Sequence, residues 1–189
     1  MVEKKSEIDE VVQAFNAGGV VIFPTETLYG LGCDATNPQA LLKVYKVKQR
    51  EFGKSFPILV KDFNMLADYA IFGADQKKFM QKEGRKRPTN FVLRAKNLSP
   101  LTTKHHTAAF RISSSAWVKK FFKKFEKPIV ATSANLSGKN PLTDPRKYKE
   151  IFNKDAELID FMIFNGVNKK RVGSRIIDLT KKPYKVLRK

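Results

Sequence analysis

The sequence predicts an α/β or α+β fold in which a twisted mixed sheet is flanked by helices. Short apolar runs, bounded by Gly, Pro or polar clusters, indicate buried strands. Stretches with apolar residues at helical spacing lie between them, and the two kinds alternate without strict regularity, which is typical of mixed sheets. Because the chain has 189 residues and no linker-like segment, we expect a single domain over residues 1–189.

Helices are predicted where apolar residues recur every three or four positions. Ser6 can cap the first of them and Gly18-Gly19 can end it, while Asn37-Pro38 begins the second with proline at the first helical position. On this basis the predicted helices cover residues 8–15, 38–50, 63–69, 75–83, 116–125 and 144–152.

Strands are predicted at residues 20–23, 56–60, 91–93, 108–112, 128–131, 158–164, 175–179 and 184–187. Two polar segments follow buried strands: Thr25–Gly32, which has no regular period and is expected to be a loop, and Thr132–Gly138. Ligands of open α/β sheets bind beyond strand ends, so these two segments are the first places to look for a site.

The composition is strongly basic, with 37 Lys and Arg against 18 Asp and Glu and a formal charge of +19. Such a charge attracts polyanions, although lysines that merely coat a solvated surface would give the same count. Cys33 is alone, which suits a reducing compartment, and no apolar run approaches the roughly 20 residues of a membrane helix. We therefore expect a cytoplasmic protein that does not bind membranes.

Several familiar devices are missing from the sequence: a phosphate loop, a dinucleotide-binding glycine motif and a Cys/His metal set. Lys48 and Arg50 remain as two long cations two positions apart, able to clamp an anion such as a triphosphate. Spacing alone favours a simpler interpretation, that they are surface cations stabilised at a helix C-terminus. Thr132–Gly138 offers hydroxyls and an amide to phosphate or sugar oxygens, but an ordinary polar turn has the same composition.

Taken in order and spacing, four segments resemble the YrdC family. They are Val21–Asp34, the triplet Lys48-Gln49-Arg50, Lys127–Gly138 with its Ser133-x-Asn135, and the tail from Ser174 through Arg188. The resemblance spans about residues 8–188 and extends to the length of the short bacterial, TsaC-type form. It implies a YrdC/RibB-like fold with a basic concave face.

The resemblance also implies a reaction: L-threonine, bicarbonate and ATP give threonylcarbamoyl-AMP and pyrophosphate, and a separate transferase complex passes the group to tRNA. Lys48 and Arg50 would be the catalytic cations on the ATP phosphates, with Mg²⁺ held through those phosphates and no protein metal site. The other ATP contacts implied are Ser133, Asn135, Thr143 and Arg188. The threonine pocket implied comprises Thr25, Tyr29, Arg111 and Ser174.

Three positions depart from the family pattern. Glu51 replaces the proline after Lys-x-Arg, Asn90 replaces a threonine in a segment that has become basic, and Ser113 replaces the proline of Arg-x-Pro. Two other functions are compatible with the same residues. One is a non-catalytic module that binds double-stranded RNA or tRNA through its cations; the other is a carbamoyl-transfer relative resembling the YrdC-like domain of hydrogenase maturation proteins.

Overall fold

The computed structural model describes residues 6–168 and 173–189. The α-helices in these ranges are α1 (Glu7–Asn16), α2 (Pro38–Lys48), α3 (Phe63–Tyr69), α4 (Ala74–Lys86), α5 (Ala116–Phe121) and α6 (Tyr148–Phe152). The strands are β1 (Val21–Pro24), β2 (Tyr29–Gly32), β3 (Ile58–Val60), β4 (Ala70–Ile71), β5 (Thr89–Ala95), β6 (Thr107–Ile112), β7 (Ile129–Val130), β8 (Thr132–Ser133), β9 (Phe161–Met162), β10 (Arg175–Asp178) and β11 (Lys185–Arg188).

Two predicted helix starts are confirmed by their caps. The Ser6 side chain accepts a hydrogen bond from the Asp9 amide at the start of α1. The Asn37 side chain accepts from the amides of Gln39 and Ala40 at the start of α2, ahead of Pro38. These short polar side chains satisfy amides that have no partner within the first helical turn.

The strands form two mixed sheets. One has the order β8-β2-β1-β9, and the other has the order β11-β10-β5-β6-β3-β7, with β4 paired to β5. Both contain parallel and antiparallel neighbours, for example β1 antiparallel to β2 and parallel to β9. The predicted mixed α/β class is confirmed, with the strands shared between two sheets.

The segment expected to be a loop, residues 25–32, is half strand. Tyr29–Gly32 forms β2 and pairs with β1 through partners such as Phe23 and Gly30. On its other side β2 pairs with β8, where Gly30 lies opposite Ser133. Two glycines in four residues give no local strand signal, so the strand exists because its neighbours hydrogen-bond to it on both sides.

Phenylalanine and aliphatic side chains fill the core. The rings of Phe15, Phe121 and Phe125 lie with centroids 5.1 to 5.5 Å apart. Trp117 stacks between Phe23 and Phe121, which joins α5 to the four-stranded sheet. Within residues 6–168 and 173–189, no helix has the length and apolar character needed to cross a bilayer.

Gly32 of β2 lies directly against the Val130 backbone of β7. A methyl group on its Cα would collide with the Val130 carbonyl oxygen and come within 3.0 Å of the Phe23 ring. Backbone cannot move aside as the end of a flexible side chain can, so glycine is required at this position.

We expect Gly32→Ala to lower the free energy of unfolding by about 3 kcal/mol, as overpacking against backbone does. The matched control is Gly84→Ala in α4, where a Cβ would meet Phe91 at an ordinary 3.9 Å. This change should raise the free energy of unfolding by about 0.5–1 kcal/mol, because alanine favours a helix over glycine. Urea titration measures both, and equal effects of the two variants would contradict the assignment.

Candidate active site

The two polar segments that the sequence singled out lie side by side. Pairing of β2 with β8 places Gly30 opposite Ser133. The Ala134 amide adds a hydrogen bond of 2.9 Å to the Tyr29 carbonyl oxygen. The turn after β8 and the hairpin between β1 and β2 are therefore fixed to each other.

Lys48 joins this arrangement from the end of α2. Its buried ammonium donates to the carbonyl oxygens of Ser133 at 2.6 Å and Asn135 at 2.8 Å, and to Asn135 Oδ1 at 3.2 Å. Ser133 Oγ lies 2.6 Å from the same Asn135 Oδ1. Thus Lys48, Ser133 and Asn135, predicted from distant parts of the sequence, come together.

This geometry gives Lys48 a definite task. An ammonium has three N–H donors, and three oxygens of the turn receive them. Burial lowers the pKa of Lys48 to about 7, and the like charge of Arg50 adds to the shift. In this conformation Lys48 shapes the turn at residues 133–135.

Arg50 points elsewhere. Gln49 adopts a left-handed conformation with φ of 48° and ends α2. Arg50 Nε then donates to the Lys54 carbonyl oxygen at 2.7 Å and Nη2 donates to that of Ser55 at 3.0 Å. Lys48 and Arg50 therefore share no acceptor, and the two-cation clamp stays a prediction.

A second cluster surrounds Arg111 on β6. Its buried Nη1 donates to Glu26 Oε1 at 2.5 Å and to Ser174 Oγ at 2.6 Å. The other Glu26 oxygen accepts from Ser113 Oγ at 2.5 Å. Arg188 donates to the Ser174 carbonyl oxygen through Nε at 2.9 Å and also through Nη2. Arg188, predicted with the ATP contacts, thus lies beside Arg111 and Ser174, which were predicted to bind threonine.

The charges of this cluster favour an anion. Burial lowers the pKa of Arg111, Glu26 opposes the shift, and the like charge of Arg188 adds to it. Burial also lowers the pKa of Arg188. Arg111 is paired with one carboxylate, and Arg188 adds a second guanidinium group to the cluster, which makes it a suitable environment for a ligand carboxylate.

Three other predicted residues stabilise neighbouring backbone. Thr25 Oγ1 donates to the Leu28 carbonyl oxygen at 2.6 Å, inside the β1–β2 turn. Tyr29 donates to the Gly166 carbonyl oxygen at 2.6 Å and accepts from the Asn165 amide at 2.9 Å. The Thr143 carbonyl oxygen accepts from the Asn168 amide at 2.8 Å. These contacts tie residues 165–168 to the hairpin and to the segment that follows β8.

A cavity of about 540 Å³ opens at the Arg111 end of β6, a size typical of small-molecule sites. Glu26, Arg111 and Ser113 line it on one side. Its apolar lining comes from Val60, Phe63, Leu66, Met80, Phe91, Phe110 and Ile112, and its cations besides Arg111 are Arg85, Lys86, Arg87 and Lys119. Lys48, Ser133 and Asn135 are not among its lining residues.

The sequence reasoning assigned no role to Glu26. The residue stands in the segment that carried the family resemblance, yet nothing local marks it as a partner for Arg111, 85 positions away. A usable signal was the chemistry of Arg111 itself, since a guanidinium within a strand pattern needs a buried counter-charge.

Cys33 lies buried in the core. Burial raises the pKa of its thiol, which fits a packing residue. In the part of the chain that the structure describes, no group of three or more His, Cys, Asp or Glu side chains is arranged to hold a metal ion.

Comparison with known proteins gives concordant matches. The family model for Sua5, YciO and YrdC proteins, described as "Telomere recombination", matches residues 13–189. A Photobacterium profundum protein named threonylcarbamoyl-AMP synthase is 37% identical over 142 residues, covering 71% of this chain and 75% of that protein.

Solved structures agree. P. abyssi Sua5 complexed with L-threonine is 29% identical with a TM-score of 0.86; the match covers 98% of this chain and 55% of Sua5, so the chain spans about half the length of that protein. E. coli YciO, at 23% identity and a TM-score of 0.83 over 96% of this chain and 88% of its own, shares the fold.

The buried ammonium of Lys48 should make stability depend on pH. Its folded pKa of about 7 lies below the ordinary 10.5, so between these values the unfolded chain binds more protons. Stability contributed by this residue should therefore rise with pH across that window, by up to about 1.4 kcal/mol per pH unit. Urea titrations of the wild type and Lys48→Met at pH 7, 8.5 and 10 isolate this slope; parallel curves would contradict it.

The buried Arg111–Glu26 ion pair should contribute far more to the free energy of unfolding than a solvent-exposed ion pair does. Glu26→Gln leaves a buried guanidinium without its counter-charge, and we expect a loss of about 3 kcal/mol in the free energy of unfolding. The matched control is Glu51→Gln, which removes a solvent-exposed pair with Lys54 and should have no measurable effect. A Glu26→Gln protein as stable as the control would show that the pair does not hold Arg111.

Proposed function

The chain belongs to the Sua5/YciO/YrdC family, and on that premise we propose that it is an L-threonylcarbamoyladenylate synthase, a nucleotidyltransferase acting on L-threonine, bicarbonate and ATP. The observation that carries the proposal is the placement of two polar clusters along one short hairpin. Glu26 in its turn reaches Arg111, and Gly30 in its second strand pairs with Ser133. A reaction that joins an amino acid to a nucleotide needs two such adjoining sites.

The reaction requires positioning more than a protein nucleophile. The amine of threonine reacts with bicarbonate to give a carbamate: an N–C bond forms, and one bicarbonate oxygen leaves as water with a proton from the amine. A carbamate oxygen then forms a bond to the α-phosphorus of ATP, and the bond to the β-phosphate oxygen breaks, so its electron pair leaves with pyrophosphate. Because ATP and the carbamate are both anionic, cations and hydrogen-bond donors that hold the two in line supply the catalysis.

Arg111 and Ser174 are proposed to bind the threonine carboxylate, with Thr25 and Tyr29 shaping the pocket through the hairpin. The positive balance of the Arg111–Arg188 cluster supports this assignment. Arg188 donates to the Ser174 carbonyl oxygen beside this pocket, and its contact with ATP stays a prediction.

The turn at Ser133 and Asn135 is proposed to contact the nucleotide, with Thr143 assisting. Lys48 would act there through the three hydrogen bonds that shape the turn. Arg50 would exchange its hydrogen bonds to the carbonyl oxygens of Lys54 and Ser55 for contacts with the phosphates. Mg²⁺ would arrive bound to the triphosphate, whose hard oxygens it prefers.

The cellular setting follows from the product. Threonylcarbamoyl-AMP is a mixed anhydride that water hydrolyses, so a transferase complex must consume it for tRNA modification. We place both in the cytoplasm, where tRNA and ATP meet. The charge of +19 would favour direct contact with tRNA or double-stranded RNA during that transfer.

The proposal is tested by incubating the protein with ATP, Mg²⁺, bicarbonate and L-threonine. We expect pyrophosphate release and an adenylate product that both depend on L-threonine and on bicarbonate. Folded protein that releases no threonine-dependent pyrophosphate would refute the synthase, and retention of salt-sensitive RNA binding in the same sample would favour the non-catalytic module.

Arg50 can be tested against a neighbour of the same charge. Arg50→Ala should lower kcat/KM for ATP by about 10- to 100-fold, as loss of a charge-assisted phosphate contact does. Lys46→Ala removes an exposed cation from the same helix end and should leave turnover unchanged. Equal activities of the two variants would remove Arg50 from the nucleotide site.

A further inference from the structure

Two buried polar atoms of the described residues have no hydrogen-bond partner: Asn90 Oδ1 and Arg111 Nε. Asn90 is 3% exposed and Arg111 is 6% exposed. One atom is an acceptor and the other is a donor. Buried groups of this kind nearly always find partners, so an acceptor and a donor left over together are candidates for contact with a ligand.

The two residues are cross-strand neighbours. β5 and β6 run antiparallel with Phe91 opposite Phe110, so the next position places Asn90 opposite Arg111. Residues opposite each other in an antiparallel pair direct their side chains to the same face of the sheet, with Cα atoms about 4.5–5.5 Å apart. The unpartnered acceptor and donor therefore belong to one small surface.

The rest of that surface is already part of the proposed site. Asn90 pairs in register with Ile176 on β10, and Ile176 pairs with Arg188 on β11. Ser174, two residues before Ile176, hydrogen-bonds to both Arg111 and Arg188. Asn90 thus lies among the side chains proposed to hold the threonine carboxylate.

The pairing of the two atoms specifies a ligand. An oxygen acceptor would satisfy Arg111 Nε, and an N–H donor would satisfy Asn90 Oδ1. A carboxylate supplies such an acceptor and an amine supplies such a donor. An α-amino acid carries both groups on one carbon, so a single molecule could contact the two residues on their neighbouring strands.

We propose that Asn90 reads the α-amino group of the amino acid substrate, accepting an N–H at Oδ1 while Arg111 binds the carboxylate. The inference rests on the proposed function and adds a residue to it. One N–H survives when the amine becomes a carbamate, so the contact persists into the reacting species. Asn90 stands where the family pattern has threonine, whose hydroxyl is also an acceptor.

The test measures binding by calorimetry for two ligands: L-threonine, and (R)-3-hydroxybutanoate, which lacks the amine but keeps the carboxylate and the hydroxyl. In Asn90→Ala, the Kd for L-threonine should rise about tenfold or more, because a hydrogen bond to a charged group is lost. The Kd for (R)-3-hydroxybutanoate should stay the same. Asn90→Thr restores an acceptor and should recover a preference for the amine.

Two controls separate this role from a structural one. Because Asn90 Oδ1 has no partner to lose, Asn90→Ala should unfold at the same temperature as the wild type or higher. Thr102→Ala removes an equally buried polar side chain, bonded to the Ser99 carbonyl oxygen at 2.8 Å, and should leave both Kd values unchanged.

The outcomes distinguish the inference from the function beneath it. If Asn90→Ala raises the Kd of both ligands equally, or changes neither Kd, the proposed role of Asn90 is wrong, but the proposed synthase function still stands. A folded wild type that binds no L-threonine overturns the proposed function itself. A loss of affinity for L-threonine alone supports both the role of Asn90 and the proposed function.

Discussion

The hairpin of β1 and β2 is the element on which both parts of the candidate site depend. Its turn carries Glu26 to Arg111, and its second strand holds β8 through the pairing of Gly30 with Ser133. Gly32 lets the same strand approach the Val130 backbone closely. Any change that displaces this hairpin would therefore move the two clusters relative to each other, which no side-chain adjustment within one cluster could correct.

Two buried cations are stabilised in different ways, and the difference suits different tasks. Lys48 is surrounded by neutral oxygens of one turn, so its hydrogen bonds order that turn while burial lowers its pKa. Arg111 faces a carboxylate shared with Ser113 and keeps Nε without a partner. The first arrangement is complete within the protein, whereas the second leaves hydrogen-bonding capacity for a ligand.

That unused capacity has a cost in stability, since an unpartnered buried polar atom weakens the fold. Proteins retain such features at sites where function requires them, and more stable alternatives at those positions give up activity. Asn90 and Arg111 occupy opposite positions of β5 and β6, next to the buried pair Phe91 and Phe110. The rigid sheet holds two groups that would otherwise turn away from each other or toward solvent.

The sequence by itself determined the mixed α/β class and the capped starts of α1 and α2, because periodicity and capping are local signals. Its resemblance to the family implied the residues that the structure groups as Lys48–Ser133–Asn135 and Arg111–Ser174. The tertiary structure alone decided that Tyr29–Gly32 is a strand, that Glu26 is the partner of Arg111, that Arg188 joins Ser174, and that Lys48 and Arg50 diverge. Each of these depends on contacts between residues far apart in the chain or on a left-handed residue such as Gln49. Pairing of that kind is fixed by packing and by the need to satisfy buried charge, and neither leaves a local mark in the sequence.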